Sequence, residues 1–379
     1  YDLQFNTGAR FDEVLHTRPM DFDFDRNNLR LWKTKTKAKK GELRDIMTCI
    51  GCNQGCFDSI FKLMPVACLR NARAGNEAKT ELKPLDTKKK IMVIGSGPAG
   101  LEAARVAKIR GHDVHLFEKN DSIGGLLNLI WIPPGRNEFK KMLENYNYWI
   151  QKYQIPVYLN EEVTTDKIKK FNPDLIILAT GSKPIKPPIS GIDRENVYWA
   201  NDVFSGDAPI GKNNVIIGGG ATGIELAIYL AKYGNLDLES FDFLTFYNAI
   251  ESKEALSMLH KGRNAVTVLE QLPKLGSALG RTTKWVLLDK CDALGVKMLT
   301  NVKVTEIGDT FVNYVDAKGT EQAINNVDYV YYATGVESNN DLYKQIKSFG
   351  FAVEKIGDAK KPQTVLEAVD KAYNIANRV

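Results

Sequence analysis

The sequence predicts an α/β chain with two dinucleotide-binding units, preceded by a short cysteine-rich segment. Three observations predict it. The pattern G-x-G-x-x-G occurs twice, as Gly95-Ser-Gly97-Pro-Ala-Gly100 and Gly218-Gly-Gly220-Ala-Thr-Gly223. Each copy follows a short apolar run and opens a helix-like stretch, the context that makes the pattern specific. Four of the five cysteines fall between Cys49 and Cys68.

At 379 residues, two or three domains and a sizeable core are expected. The hydrophobic fraction of 44% and charged fraction of 26% are ordinary for a globular protein. No run of eighteen apolar residues predicts a membrane span. The net charge of +5 is mild and partly local, in Lys33, Lys35, Lys37, Lys39 and Lys40. No aromatic residues interleave with these lysines, so they read as a solvated linker and not a nucleic-acid surface. With no secretory h-region, a reducing compartment is expected, the bacterial cytosol or an organelle matrix. Residues 1–45 carry Phe22, Phe24, Leu29, Leu31 and Trp32 without a clean period, and read as an arm or connector.

The cysteine segment comes next, within residues 46–87. Cys49-Ile-Gly-Cys52-Asn-Gln-Gly-Cys56 is followed by eleven residues and Cys68. Disulfides explain this crowding poorly in a chain able to bury its own core. Thiolates on a glycine-containing loop are better explained as metal ligands. The C-x2-C-x3-C spacing with a distant fourth cysteine suits a [4Fe–4S] cluster. Structural zinc, which more often uses two separated C-x2-C knuckles, is the second choice, and buried free thiols the third.

From Lys90 the texture changes. Ile91–Ile94 reads as a strand buried on both faces, the glycine pattern follows, and Leu101–Arg110 reads as a helix stopped at Gly111. Val114–Phe117 is the next strand, with Glu118 at its end. The first glycine permits a tight turn, the second lets a pyrophosphate approach, and the third lets helix and strand pack closely. The helix N-terminus offers free N–H groups to phosphate, and Glu118 is placed to accept from ribose hydroxyls.

The order then repeats: strand Asn214–Ile217, the second pattern, helix Ile224–Tyr233, and strand Val266–Leu269 ending at Glu270. Between that helix and strand lies a long connection, Gly234–Asn264, where a handful of residues would suffice. Its Phe241, Phe243, Phe246 and Tyr247 suggest an ordered excursion packed on a neighbour. Two apolar runs, Leu175–Leu178 and Tyr329–Tyr332, lead into Ala179-Thr180-Gly181 and Ala333-Thr334-Gly335, read as turns where the chain crosses between domains. Gly357-Asp358 precedes the helix-like Val365–Val379; the aspartate reads equally as a helix cap or as a group holding a hydroxylated ligand.

The paired glycine patterns, the two Ala-Thr-Gly turns and Gly357-Asp358 together resemble flavoproteins with two dinucleotide domains, the pyridine nucleotide-disulfide-oxidoreductase-like FAD/NAD(P) fold. The cysteine segment with Asn71-Ala-Arg-Ala74 narrows the resemblance to the 2,4-dienoyl-CoA reductase, 2-enoate reductase and trimethylamine dehydrogenase family, from about Gly41 onward. The resemblance implies an FAD domain over 88–206 and 325–379, interrupted by an NAD(P)H domain over 207–324. It assigns Cys49, Cys52, Cys56 and Cys68 to a [4Fe–4S] cluster. To FAD it assigns Gly95, Gly97, Pro98, Ala99, Gly100, Glu118, Lys119, Gly124, Gly125, Asn128, Val163, Thr180, Gly181, Gly357 and Asp358. Gly124-Gly125 would pass the flavin ring and Asp358 would bind the ribityl chain. To NAD(P)H it assigns Gly218, Gly220, Ala221, Thr222, Gly223, Glu270 and Gly335.

The family also carries an FMN-binding TIM barrel, which typically needs about 250 residues, and only about 45 precede the cysteines here. The expectation is therefore a reductase component passing electrons from NAD(P)H through FAD to the cluster and on to a partner, in which an FMN barrel is one candidate. Association into a hetero- or homo-oligomer is expected with it. Glu270 favours NADH over NADPH, because a carboxylate there repels a 2′-phosphate. A reductase subunit resembling the small subunit of glutamate synthase, and a non-catalytic subunit that kept the fold, are the alternatives. Cys291 reads as a buried structural thiol on a helix. His16, His112, His115 and His260 form no ligand or triad pattern.

Overall fold

The computed structural model describes residues 22–23, 28–29, 43–85 and 87–379. The lysine run and most of the N-terminal arm lie outside the described residues; within the arm, Phe22–Asp23 pairs antiparallel with Asn28–Leu29. The chain forms two compact units. The first comprises residues 1–128, 137–182 and 338–379, the second residues 129–136 and 183–337.

In the first unit, β1 (Lys90–Ile94) is the centre of a five-stranded parallel sheet. Leu175–Leu178 flanks it on one side and β2 (Asp113–Phe117) on the other, with Val353–Lys355 and Val157–Tyr158 at the edges. Ile91, Met92 and Val93 are fully buried, as a strand covered on both faces requires. Between β1 and β2 runs α1 (Pro98–Ile109), which packs on the C-terminal helix Val365–Ala376. Helix α2 (Lys140–Lys152) buries Met142, Tyr146 and Trp149, and the Tyr146 hydroxyl donates to Glu102 of α1 at 3.2 Å.

The second unit repeats the plan. Strand β3 (Asn213–Ile217) is central between β4 (Ala265–Leu269) and Tyr329–Tyr332, with Lys297–Leu299 and Val197–Trp199 outermost, all parallel. Alternate residues of β3 serve two cores. Ile216 joins the core under α3 (Ala221–Lys232), while Val215 and Ile217 join a core with Val304 and Val312 of an antiparallel meander over residues 303–325.

Past the two Ala-Thr-Gly turns the units divide at 182/183 and 337/338, whereas the domain bounds that the resemblance implies lie at 206/207 and 324/325. The reason is pairing: Val197–Trp199 hydrogen-bonds to Tyr329–Tyr332 inside the second sheet, so both go with that unit. The 234–264 excursion forms two helices, Leu238–Phe246 and Ser252–His260, packed on each other. Its base is tied by Leu236 N–H to Met258 O at 2.9 Å and Gly262 N–H to Ala231 O at 2.8 Å. The first of these helices buries no residue, and Phe246 is 74% exposed. Cys291 is fully buried on helix Arg281–Ala293, and burial pushes its thiol up to about 11.

Candidate functional site

Two loops with the same geometry stand at the C-terminal ends of β1 and β3. In each, the N–H of the first glycine donates to the last residue of the neighbouring strand: Gly95 to Phe117 O at 2.8 Å, Gly218 to Leu269 O at 2.9 Å. Both glycines are left-handed, with φ of 99° and 109°. A Cβ on either would lie 2.3 Å from Ala179 O or 2.5 Å from Ala333 O. The Ala-Thr-Gly turns are thus the walls against which the glycine loops close. A Cβ at Gly100 or Gly223 would lie 1.9 Å from the carbonyl of Gly95 or Gly218, so the third glycine is needed for packing.

Gly97 and Gly220 differ. Their φ of −66° and −72° suit any residue, and a Cβ on either would meet nothing within 4 Å. Neither backbone strain nor crowding calls for glycine there. Each is the N-cap of a twelve-residue helix, whose first turn leaves backbone N–H groups without intrahelical partners. That is the cradle a pyrophosphate requires.

A carboxylate borders each cradle. Glu118, 6% exposed, accepts through one oxygen from Ser96 N–H at 2.9 Å and Ser96 Oγ at 2.7 Å, and through the other from Asn120 N–H at 3.0 Å. Glu270 accepts from Gly219 N–H at 2.6 Å and Leu272 N–H at 2.7 Å. Both are held by backbone donors, and the Glu118 oxygen facing Asn120 and both oxygens of Glu270 keep lone-pair capacity for a hydroxyl.

Around the first loop the structure gathers most of the residues assigned to it. Gly124 N–H donates to Ser96 O at 2.9 Å, and a Cβ on Gly125 would lie 3.3 Å from Gly97 Cα, so this loop folds over the glycine loop. Asn128 braces it by donating to Ile123 O at 3.0 Å. Gly357 closes in from the far end of the chain: a Cβ there would lie 2.8 Å from Ala99 Cβ. Asp358 accepts from Ser182 Oγ and Gln363 N–H, both at 3.1 Å. It is not the cap of the last helix; Thr364 with Glu367 forms that capping box. Thr180 Oγ1 donates to Asn339 O at 2.8 Å, beside Gly181 in the left-handed region. Val163 puts its side chain into the core with Phe117 and Ile168, leaving only its main chain for a ligand. Lys119 is exposed. At the second loop Ala221 and Thr222 form the half-buried first turn of α3, and a Cβ on Gly335, whose φ is 99°, would meet only Ile185 Cδ1, at 4.0 Å.

Sequence reasoning assigned no role to the stretch after Asn128. Here Leu129 and Ile132 pack on the second unit's helical core, and Arg136 donates to Glu225 of α3. Burial pushes the Glu225 carboxyl up, and Arg136 opposes that. The Leu-x2-Ile spacing is the only signal in the sequence, and it is too short to be read.

The cysteine segment is a looped strap. Ala67 N–H donates to Gly55 O at 2.6 Å, and a Cβ on Gly55 would lie 2.5 Å from Ala67 O. Left-handed Gly51 and Asn53 turn the chain between Cys49 and Cys56. All four thiols are free, Cys49 exposed and the others half-buried. Burial first, then the neighbouring Cys68, Cys56 and Cys49, push the Cys52 thiol up to about 11. Among the described residues no three His, Cys, Asp or Glu side chains close on one metal-ion position. The thiols are gathered within electrostatic reach without converging on a point.

Residues 89–361 match the family model of the pyridine nucleotide-disulphide oxidoreductases. The chain belongs to that family. Among its relatives, a metal reductase of Desulforamulus reducens is 39% identical over 346 residues, 90% of this chain and 51% of that protein. A cinnamate reductase of Clostridium sporogenes is 30% identical, over 88% of this chain and 46% of its own length. A solved structure of 2-naphthoyl-CoA reductase with 2-naphthoyl-CoA superposes with a TM-score of 0.80 at 32% identity, over 90% of this chain and 48% of that one. The chain spans about half the length of these relatives. The resemblance to the enoate-reductase group is therefore borne out, as are the α/β dinucleotide fold and its oxidoreductase character. The family match supports FAD and NAD(P)H as cofactors. No helix among the described residues is long and apolar enough to cross a membrane.

Proposed function

We propose that this chain is the reductase portion of an electron-transfer flavoprotein, which draws electrons from NADH and delivers them to a partner protein through Cys49–Cys68. The observation that carries this reading is the pair of glycines, Gly97 and Gly220, that the fold does not itself need. Two open cradles in one chain are best explained by two dinucleotides. The first unit, with Gly124-Gly125 folded over its loop and Asp358 nearby, would hold FAD. The second would hold the nicotinamide dinucleotide, where the anchored Glu270 carboxylate accepts from ribose hydroxyls and disfavours a 2′-phosphate.

Cys49, Cys52, Cys56 and Cys68 would hold the [4Fe–4S] cluster. A sulfur donor set suits iron–sulfur or zinc, and the C-x2-C-x3-C spacing with a distant fourth cysteine suits the cluster better than two separated zinc knuckles. When bound, FAD converts hydride chemistry to single-electron chemistry, and an iron–sulfur cluster accepts electrons singly. The chain's own residues orient these groups and shield them. Between Cys56 and Cys68, Phe57, Ile60, Phe61, Leu63, Met64 and Val66 are all exposed, Leu63 at 97%. An apolar strip beside the proposed exit supports a protein acceptor, such as an FMN-binding domain, covering it.

The test is a visible spectrum of protein purified without oxygen, recorded as NADH or NADPH is added. Flavin bands with a broad cluster shoulder, bleached faster by NADH, are expected. A colourless protein would contradict the cofactor assignment, and faster bleaching by NADPH would contradict the role of Glu270.

A further inference from the structure

We propose that Arg70 is a positioning residue that fixes the cysteine loop to the flavin-binding unit through one turn of α2. The proposal rests on the readings of Cys49–Cys68 as a cluster loop and of Gly124–Asn128 as a flavin loop. Arg70 stands two residues past Cys68 and is 4% exposed. Through Nη1 it donates to the Thr48 carbonyl and, at 3.1 Å, to Thr48 Oγ1. Thr48 immediately precedes Cys49, so one guanidinium joins both ends of the loop.

Its other arm faces α2. Nη2 donates to Lys141 O at 3.2 Å and to Asn145 Oδ1. The Asn145 amide in turn donates to Arg44 O at 2.9 Å, holding the approach to Cys49 on the same turn of helix. Between Lys141 and Asn145 sits Leu143, whose Cδ1 lies 2.9 Å from where a Cβ on Gly124 would be. A single helical turn thus carries the cysteine loop through Arg70 and the flavin loop through Leu143. Burying a guanidinium costs desolvation that an apolar residue of the same size would avoid. The planar, two-armed fork supplies what an apolar residue cannot, a fixed geometry between three chain segments.

The experiment compares Arg70→Gln and Arg70→Lys with the unaltered full chain. Amide hydrogen exchange reads the anchoring directly. Arg70→Gln should speed exchange over residues 48–70 about ten- to hundredfold, the effect of losing a charge-assisted hydrogen bond, and leave β1 and β2 unchanged. The flavin should still bleach with NADH at the normal rate. The paramagnetic signal of a reduced cluster should rise more slowly, with Arg70→Lys intermediate. If exchange over 48–70 is unchanged, or the signal rises at the normal rate in Arg70→Gln, the proposal is wrong. Should that variant not fold, Asn145→Ala removes one partner of the same clamp and must loosen 48–70 in the same way. Absence of any cluster signal from the unaltered protein would overturn the cluster reading instead, and the exchange pattern alone then decides for or against Arg70.

Discussion

Glycines that look alike in the two loops have different jobs, and substitution should separate them. Gly100→Ala drives a methyl onto the Gly95 carbonyl, as does Gly223→Ala onto that of Gly218. Either should destabilise the protein by about 3 kcal/mol or more. Gly97→Ala and Gly220→Ala enter open space at ordinary φ. They should leave the unfolding of ligand-free protein within about 0.5 kcal/mol of normal while weakening FAD or NADH binding respectively. Thermal unfolding and equilibrium titration measure the two effects. Glu270→Arg should reverse the nucleotide preference in a flavin-bleaching assay, because it replaces a carboxylate held by two backbone N–H groups with a cation suited to a 2′-phosphate.

Between elements, the Leu129–Arg136 segment offers a test with a pH signature. The Glu225 carboxyl titrates above its ordinary value because it is buried, and Arg136 limits the rise. Arg136→Met removes that opposition. A carboxyl raised in the folded state favours the protonated form, so the variant should lose little stability below about pH 4, the unfolded glutamate range. Its deficit should grow as pH rises through the folded value and then level off, reaching several kcal/mol, the scale of a buried ion pair missing one partner. Denaturation at pH 4 and pH 8 checks the sign. A deficit equal at both would remove Glu225 from the explanation.

How far the sequence could be read follows from the range of the interactions. Strands β1 and β3 were legible because each is an apolar run ending at a glycine pattern, and β2 and β4 because each follows the next helix and ends at a carboxylate, Glu118 or Glu270. Val197–Trp199 was not. It is three residues long and has meaning only through pairing with Tyr329–Tyr332, more than a hundred positions away. The excursion announced itself by length and aromatic content, but that its first helix buries nothing is a tertiary fact. In the candidate site, the four cysteines and both carboxylates stand out in the sequence by type and position. Arg70 was not, since nothing local distinguishes it from an exposed arginine.

The whole molecule is two copies of one plan, each with a glycine loop at the central strand of a parallel sheet, and a cysteine strap carried by the first. It spans about half the length of its relatives. On the function proposed above, the exposed strip from Phe57 to Val66 is where a protein acceptor would dock. Leu63→Asp, at a side chain in open solvent, should leave stability within about 0.5 kcal/mol and NADH-driven bleaching unchanged, while weakening transfer to an acceptor docked on that strip. The central claim is that NADH, flavin and the four cysteines form one path within this chain. It is tested most directly by electron paramagnetic resonance of oxygen-free protein before and after NADH, in the natural chain and in Cys52→Ala. The account predicts a reduced-cluster signal in the natural chain, and bleached flavin with no such signal in the variant. Flavin that bleaches while the natural chain stays silent, or a signal that survives loss of Cys52 unchanged, would contradict it.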